Sequence, residues 1–455
     1  MIRTRYAPSP TGYMHIGNLR SALFEYLIAK KSGGVFILRI EDTDQNRYVE
    51  GATDSLIDNL HRLNLKFDEG PGVGGPYAPY IQSERKDSYL PHALKLVESG
   101  HAYFCYCTKE RLETLADERG LKKYDRHCVN MPKQDKPYVI RQLIPEGVTS
   151  FTDEVFGEIS ISNSEIEDQI LIKSDGMPTY NFANVIDDHA MAITHVVRGS
   201  EYITSTPKYK LLYNALGFDV PVFVHLPLLQ NASGQKISKR NGDLSVIELL
   251  EQGFLPEAII NYAALLGWSP GGEKEIFNLK ELEEIFNVKN ISKSPSTFDM
   301  QKLTWVNGEH IRLMSDESFE SLAIPFLKAT VKMQGINHAY LAKIAKSRVS
   351  FVKDAGGLFD FIDKLPDYDI SLFKHKKMKT DEKIAKEILI QLLEVFENSQ
   401  DISTSYSKGQ TLWTLRTALS GKMATPCGGA EIATILGKDE TIKRLNIAIK
   451  KLEAI

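Results

Sequence analysis

The sequence has no apolar run long enough to cross a membrane, so we expect no membrane-spanning segment. Hydrophobic residues make up 42 % of the chain and charged residues 25 %, which excludes an intrinsically disordered protein. Residues 1–7 lack the continuous apolar core of a signal peptide, and we therefore expect a cytoplasmic location. There is no internal repeat, and the glycine-rich segment 70–76 has the spacing of neither a dinucleotide-binding fingerprint nor a Walker loop.

Cysteine is also scarce. The four cysteines in 455 residues are too few for the disulfide framework of a secreted domain. Three of them, Cys105, Cys107 and Cys128, nevertheless fall within one short segment. Such clustering indicates a local thiol site rather than a set of cross-links.

The net charge of −4 conceals an uneven distribution. From residue 323 onward the chain has 21 Lys and Arg against 15 Asp and Glu, whereas the preceding part has 34 against 44. A basic tail behind an acidic front occurs in proteins that bind nucleic acid, and also in proteins whose helix faces are merely solvated. Charge alone favours the second interpretation.

The length predicts about three domains. The first 240 residues alternate short apolar runs with helical periodicity, as βαβ units do. We predict a helix at residues 19–31 and strands at 3–7, 35–40, 196–198 and 222–229. Beyond residue 241 the pattern is that of amphipathic helices, at 245–252, 256–266, 279–286, 381–397 and 411–420.

Two short motifs carry residues suited to phosphate chemistry. The first follows the turn-forming segment 8–13 and places His15, Gly17 and Asn18 at a helix start, where unpaired N–H groups and the helix dipole attract a polyphosphate. The second, Lys-Ile-Ser-Lys-Arg at 236–240, puts three cations in a glycine-flanked loop that can neutralise a triphosphate. Taken singly, an accidental helix start and a solvated basic turn are the simpler explanations.

Together the two motifs resemble the signatures of the class I aminoacyl-tRNA synthetases. Longer stretches narrow the resemblance to the bacterial glutamyl-tRNA synthetases: Arg-Ile-Glu-Asp-Thr-Asp at 39–44, Lys-Ser-Asp-Gly-Met-Pro-Thr-Tyr at 173–180, Asn-Val-Ile-Asp-Asp-His at 184–189 and Leu-Thr-Trp-Val-Asn-Gly at 303–308. The resemblance covers essentially the whole chain. It implies ATP-dependent activation of L-glutamate, with Mg²⁺ on the phosphates, and transfer of the glutamyl group to tRNA(Glu) by a monomeric enzyme.

The resemblance also implies roles for individual residues. The implied catalytic residues are His15, Gly17, Asn18, Lys236 and Lys239. The implied ATP-binding residues are His15, Gly17, Lys236, Ser238, Lys239 and Arg240. The implied glutamate-binding residues are Arg5, Ser9, Glu41, Tyr180, Asn184 and Arg198. These types suit the substrate, because arginines pair with carboxylates and an acid pairs with the ammonium group. Tyr202 lies where many relatives have tryptophan, and its role stays open.

The cysteine cluster, with Tyr124, resembles the Cys-x-Cys…Tyr-x-x-x-Cys zinc site in an acceptor-binding insertion of some members of the family. Three thiolates and a fourth ligand suit tetrahedral Zn²⁺. Some relatives have a histidine two residues after the last cysteine, where this chain has Asn130, which leaves Tyr124 and His127 as alternatives for the fourth ligand. The other interpretation is that zinc has been lost from this chain. The implied ligand set is Cys105, Cys107, Tyr124 and Cys128.

The resemblance implies an α/β fold: a Rossmann-like parallel-sheet catalytic domain with an acceptor-binding insertion, followed by an all-α stem-contact and anticodon-binding region. The expected boundaries are 1–100 and 189–242 for the two catalytic halves, 101–188 for the insertion, 243–322 for the stem-contact domain and 323–455 for the anticodon-binding region, which divides near 375. Candidates for tRNA contacts in the last region are Lys346, Arg348, Lys353, Trp413 and Arg416.

Three kinds of related protein are alternatives to this interpretation. A glutaminyl-tRNA synthetase typically has a β-barrel tail, whereas this tail is predicted to be helical. A relative that glutamylates a queuosine-type base in tRNA lacks the C-terminal half. A non-enzymatic tRNA-binding protein would not need the intact motif residues His15 and Lys239. The sequence leaves open a non-discriminating enzyme that also charges tRNA(Gln) with glutamate.

Overall fold

A computed structural model of the chain describes residues 1–10, 12–44, 49–115, 124–237 and 245–454. The chain divides into a first unit, Met1–Leu303, and a second unit, Thr304–Ile455. Within the described ranges, no helix has both the length and the apolar character needed to cross a membrane.

Strands and helices alternate in the first unit. Its strands are β1 (Arg3–Tyr6), β2 (Val35–Leu38), β3 (Ala102–Cys105), β4 (Val139–Gln142), β5 (Val148–Asp153), β6 (Gly157–Ser162), β7 (Ile170–Ile172), β8 (His195–Gly199), β9 (Val222–Leu226), β10 (Leu229–Gln230) and β11 (Ser296–Thr297). Its helices are α1 (Ile16–Lys31), α2 (Ala52–Arg62), α3 (Tyr89–Glu98), α4 (Lys109–Glu113), α5 (Tyr180–Ala190), α6 (Thr206–Leu216), α7 (Val246–Glu251), α8 (Pro256–Leu265) and α9 (Leu279–Ile285). The next helix, α10 (Met300–Leu313), contains the division between the units.

Parallel strand pairs form the part of the fold that positions the site. β1 pairs with β2, and β8 pairs with β9, both in parallel register. The Arg3 carbonyl of β1 also accepts from the Thr194 N–H, just before β8, at 3.0 Å. Helix α1 connects β1 to β2 and is buried on most sides, because its apolar run includes Leu19, Leu23 and Leu27. The strands predicted at 3–7, 35–40, 196–198 and 222–229 and the helix predicted at 19–31 are confirmed as β1, β2, β8, β9 and α1.

The segment predicted as an insertion contributes to two sheets. β3, β4 and β7 form a three-stranded antiparallel sheet. β5 and β6 instead join the sheet of β8 and β9, because Asp153 of β5 pairs in parallel with Phe223 of β9. Part of the 101–188 segment therefore extends the sheet of β8 and β9.

The described part of the second unit is helical. Its helices are α11 (Asp316–Thr330), α12 (His338–Lys346), α13 (Glu382–Glu397), α14 (Lys408–Ser420) and α15 (Gly429–Glu453). Side-chain caps begin α13 and α14, where Asp381 and Ser407 each accept an N–H three residues on. The fully buried Arg444 of α15 donates to the carbonyls of Phe361 and Leu419, at 2.8 and 2.7 Å. The helices predicted at 245–252, 256–266, 279–286, 381–397 and 411–420 are confirmed as α7, α8, α9, α13 and α14.

Candidate active site

A cavity of about 290 Å³ lies at the carboxyl ends of β1 and β8 and at the start of α1. This edge of a parallel sheet is where α/β proteins bind ligands. Among the predicted site residues, the cavity is lined by Arg5, Ser9, His15, Gly17, Asn18, Tyr180, Arg198 and Lys236. Glu41 and Asn184 are buried, with 2 % and 1 % of their surface exposed. Asn184 follows Tyr180 by one turn of α5. Glu41 pairs with Arg39, and Arg39 shares the carboxylate of Asp188 with the cavity residue Arg5.

A buried network of charges holds Arg5 in place. Arg5 donates from Nε to Asp188 Oδ1 at 2.9 Å and from Nη2 to Asp188 Oδ2 at 3.3 Å, so the pairing is bidentate. Arg39 Nη1 lies 2.8 Å from Asp188 Oδ1, and Arg39 Nη2 donates to Glu41 Oε1 at 2.9 Å. All four side chains are buried. The network links β1, the end of β2 and α5, and it therefore fixes the guanidinium that faces the cavity.

Burial and charge have opposite effects on the pKa values of three buried carboxyls near Arg5, which are Asp188, Glu41 and Glu25. Burial disfavours the charged form of Asp188, but the guanidiniums of Arg5 and Arg39 outweigh this effect and lower its pKa to about 2. For Glu41, burial outweighs the attraction of Arg39 and raises the pKa. Burial also raises the pKa of Glu25 well above its ordinary value, against the attraction of Arg5.

Arg198, at the end of β8, is flanked by two aromatic rings. Its guanidinium carbon lies 5.5 Å from the ring centre of Tyr202 and 4.6 Å from that of Tyr209. Burial works against the charge of Arg198, but neighbouring tyrosines and acids outweigh it and raise its pKa, so the cation stays charged. The ring of Tyr202, for which the sequence predicted no role, thus lies on one side of the Arg198 guanidinium.

Three buried polar atoms of the predicted glutamate-binding residues have no hydrogen-bond partner within the described ranges. They are Arg198 Nε, Asn184 Nδ2 and Glu41 Oε2. These two donors and one acceptor are therefore available to hydrogen-bond a polar ligand. A molecule that carries both carboxylate and ammonium groups is complementary to this set.

His15 is the N-cap of α1. Its Nδ1 accepts from the backbone N–H groups of Gly17, at 3.1 Å, and Asn18, at 3.3 Å. Because Nδ1 accepts, the neutral imidazole carries its proton on Nε2, which makes Nε2 a hydrogen-bond donor. A Cβ on Gly17 would lie only 3.0 Å from the His15 ring, so glycine leaves the space that the imidazole occupies. The N–H groups that the sequence analysis expected to be unpaired are therefore bound by His15 itself.

The second motif is described only up to Ile237. Lys236 lines the cavity, and its Nζ lies 2.6 Å from Glu201 Oε1. Both side chains are partly exposed, so the pair contributes only about 0–1 kcal/mol and a phosphate can compete for the ammonium. The other predicted residues of this motif, Ser238, Lys239 and Arg240, lie outside the described residues.

A buried series of hydrogen-bonding groups, which could not be seen in the sequence, ends at the backbone carbonyl of Tyr202. Asp153 Oδ2 accepts from His225 Nδ1 at 2.6 Å, and His225 Nε2 lies 3.2 Å from Thr206 Oγ1. The Thr206 hydroxyl donates to the Tyr202 carbonyl at 2.9 Å. Because Asp153 and His225 are 72 positions apart, no local pattern signals their pairing.

The three clustered cysteines come together at the end of β3. The Sγ atoms of Cys105, Cys107 and Cys128 lie within 4.8 Å of one another, and those of Cys107 and Cys128 are 3.6 Å apart. The Tyr124 hydroxyl lies 3.3 Å from Cys105 Sγ and 3.5 Å from Cys107 Sγ, whereas His127 is exposed. Of the two alternatives for a fourth ligand, the geometry favours Tyr124.

The predicted tRNA-contact residues of the second unit are in part already engaged. Lys346 pairs with Asp316 at 2.6 Å. Trp413 is half-buried, with its ring centre 4.0 Å from that of His375 and 4.3 Å from the guanidinium carbon of Arg416. Trp413 Nε1 and Arg416 Nε are buried and have no hydrogen-bond partner in the part of the chain that the structure describes.

Two protein-family models match the chain, one over each unit. A model for "tRNA synthetases class I (E and Q), catalytic domain" matches residues 1–305, and one for "Anticodon binding domain" matches residues 318–449.

Individual relatives match over the full length. The glutamate–tRNA ligase of Clostridium kluyveri is 51 % identical, over 99 % of this chain and 98 % of its own. That of Clostridium acetobutylicum is also 51 % identical, over 99 % of each chain. Among solved structures, a glutamate tRNA ligase from Elizabethkingia meningosepticum in complex with its amino acid has 34 % identity and a TM-score of 0.89, and covers 99 % of both chains. The glutamate-tRNA synthetase of Elizabethkingia anophelis has a TM-score of 0.87 and the same identity and coverage.

Proposed function

The chain belongs to the class I aminoacyl-tRNA synthetases, among the glutamate–tRNA ligases, and we propose that the cavity at the start of α1 is where it activates glutamate with ATP. The proposed substrates are L-glutamate, ATP as its Mg²⁺ complex, and tRNA(Glu). The observation that carries the proposal is that two buried guanidiniums, Arg5 and Arg198, line one cavity beside the unpaired acceptor of Glu41.

The amino-acid site would use charges of both signs. Arg5 and Arg198 pair with the two carboxylates of glutamate, and Glu41 Oε2 accepts from its ammonium group. Asn184 Nδ2 supplies a further donor, and Tyr180 a ring wall. Ser9 completes the set at the exposed rim.

The reaction that follows needs no covalent enzyme intermediate. An α-carboxylate oxygen of glutamate attacks the α-phosphorus of ATP in line, which forms the glutamyl-adenylate and expels pyrophosphate. Positioning and neutralisation of charge supply the catalysis. His15 Nε2 donates to the phosphates, and Lys236 and Lys239 neutralise the negative charge that develops on the leaving pyrophosphate. A terminal ribose hydroxyl of the tRNA then attacks the adenylate carbonyl and releases AMP.

The direct test is aminoacylation with labelled glutamate. We expect the protein to charge purified tRNA(Glu) in the presence of ATP and Mg²⁺. The same assay with tRNA(Gln) decides whether the enzyme is the discriminating or the non-discriminating form. The Arg198→Ala variant should bind glutamate at least about ten-fold more weakly, since it loses a charge-assisted contact. No charging of tRNA(Glu) by the wild-type protein would contradict the proposed function.

We propose further that the cysteine cluster holds Zn²⁺. In a tetrahedral site with Zn–S bonds of about 2.3 Å, the sulfurs lie about 3.8 Å apart, close to the 3.6 Å between Cys107 and Cys128. Tyr124 would be the fourth ligand, since its hydroxyl already contacts two of the sulfurs. When bound, the ion would cross-link β3 to the segment after residue 123.

Metal analysis of protein purified without chelator checks this site. We expect about one equivalent of zinc in the wild-type protein, and a loss of most of it in Cys128→Ser, because three ligands bind the ion far more weakly than four. Cys427→Ser is the matched control, since Cys427 is a buried cysteine of the second unit, and it should keep the zinc. Less than a tenth of an equivalent in the wild-type protein would refute the site.

The second unit would bind the anticodon, in agreement with the family model that covers residues 318–449. Trp413 and Arg416 are proposed contacts, because an indole ring and a guanidinium plane are the groups on which unstacked RNA bases stack. The five-part division of the chain, the monomeric state and the cytoplasmic location stay predictions.

A further inference from the structure

A turn of the second unit, residues 374–380, is rich in lysine, and none of its residues is among the predicted tRNA contacts. This lysine turn lies just before the N-cap of α13 and exposes four cations, Lys374, Lys376, Lys377 and Lys379. Lys374 pairs with Glu382 of α13 at 2.7 Å. The turn therefore presents to solvent three further positive charges that no ion pair within the described ranges neutralises.

The backbone of the lysine turn is closed by hydrogen bonds. The N–H groups of His375 and Thr380 each donate to the other residue's carbonyl, at 3.1 and 3.3 Å. His375 Nδ1 accepts from the Met378 N–H at 3.1 Å, and the buried Thr380 hydroxyl donates to the Phe373 carbonyl at 2.8 Å. Because this backbone is already ordered, binding of a ligand costs chiefly the ordering of the lysine side chains.

The lysine turn packs against the start of α14, next to the proposed base contacts. Gln410 Nε2 donates to the Lys379 carbonyl at 3.1 Å. The His375 ring centre lies 4.0 Å from that of Trp413, which in turn lies 4.3 Å from the guanidinium carbon of Arg416. These three side chains thus form one contiguous row of planar groups that begins in the lysine turn.

Several other lysines of the second unit are already neutralised. Lys346 pairs with Asp316 at 2.6 Å, and Lys443 pairs with Glu440 at 2.9 Å. Such pairs are expected on solvated helix faces, which are the simpler explanation of the basic tail. The lysine turn differs, because it is not part of a helix and its cations lie beside a row of aromatic and guanidinium groups. Proteins bind single-stranded RNA with this combination of groups.

We propose that the lysine turn binds the phosphate backbone of the tRNA anticodon loop, beside bases that stack on Trp413 and Arg416, a role that rests on the proposed function. An ammonium group on a flexible stem suits a phosphate oxygen, and such contacts give affinity but carry no sequence information. The two parts of the surface then have different tasks. The planar groups contact unstacked bases, and the lysines neutralise the backbone that carries those bases.

The test measures how the affinity for tRNA(Glu) depends on salt. The double variant Lys376→Gln/Lys377→Gln of the full chain keeps two polar side chains and removes two positive charges. Each lost phosphate contact makes the plot of log affinity against log salt less steep by about 0.7–0.9, so we expect a change of about 1.4–1.8 between about 50 and 200 mM salt. The affinity at the lowest salt should fall about ten-fold or more. A tRNA(Glu) transcript without its anticodon arm should bind the variant and the wild-type protein equally well.

Lys438→Gln/Lys443→Gln is the matched control, because it removes the same charge from exposed lysines of α15 that are already engaged. Lys443 pairs with Glu440, and Lys438 donates to the Glu397 carbonyl at 2.8 Å, so this variant should keep the wild-type slope. A wild-type slope in Lys376→Gln/Lys377→Gln would overturn the role of the lysine turn. An equal loss of affinity for the transcript without the anticodon arm would also overturn it, since the contact would then lie elsewhere on the RNA. Charging of tRNA(Glu) with an unchanged slope would contradict the lysine turn alone, whereas absence of charging would contradict the proposed function as well.

Discussion

Replacement of Asp188 by alanine should lower the free energy of unfolding by about 3–5 kcal/mol, because it leaves two buried guanidiniums without their shared counter-charge. Asp188 binds Arg5 through both carboxylate oxygens and lies 2.8 Å from Arg39 Nη1, with all three side chains buried. Urea unfolding followed by circular dichroism measures the change. Asp175→Ala is the matched control, because Asp175 is exposed and its ion pair with Lys173 is long, at 3.7 Å. This variant should lose less than about 1 kcal/mol. A loss of that small size in Asp188→Ala would contradict the role of the network.

The same carboxylate should make stability depend on pH in acid. Its pKa is lowered from an ordinary 3.8 to about 2, chiefly because the arginines outweigh the effect of burial. The stabilisation is therefore fully present above about pH 4 and is lost as the pH falls through 2, with a total of about 2 kcal/mol. The Asp188→Asn variant, which cannot ionise, should lack this part of the acid dependence.

Replacement of Lys239 by alanine should reduce adenylate formation by about two to three orders of magnitude, since loss of one contact to transition-state charge costs about 3–4 kcal/mol. Binding of tRNA should be nearly unchanged, because the proposed role of Lys239 is confined to the triphosphate. ATP–pyrophosphate exchange and a tRNA filter-binding assay separate the two effects. Lys274→Ala removes an exposed lysine that pairs with Glu281, and it should exchange pyrophosphate at the wild-type rate. Normal exchange by Lys239→Ala would contradict the assignment of the 236–240 motif.

The main elements could be predicted from the sequence because their signals are local. The apolar run after the Pro-Ser-Pro turn predicts α1, and amphipathic periodicity predicts α13 and α14, the latter with a start three residues later than the observed Lys408. The motifs around His15 and Lys236 were equally visible, and the structure places both residues on one cavity. The elements could be predicted, and the motif residues named, because hydrophobic periodicity and motif spacing are properties of neighbouring residues.

Long-range pairing of charges could not be predicted in this way. The sequence indicated Arg5 as a residue that meets a substrate carboxylate, but its strongest partner, Asp188, is 183 positions away. His15 was predicted next to unpaired N–H groups, whereas its own Nδ1 accepts from two of them. The sequence by itself determined the elements, the motifs and, through its resemblance to a family, the reaction. Only the tertiary structure decided which buried charges neutralise one another and which polar atoms stay unpaired for a ligand, because burial and ion pairing depend on distances in space.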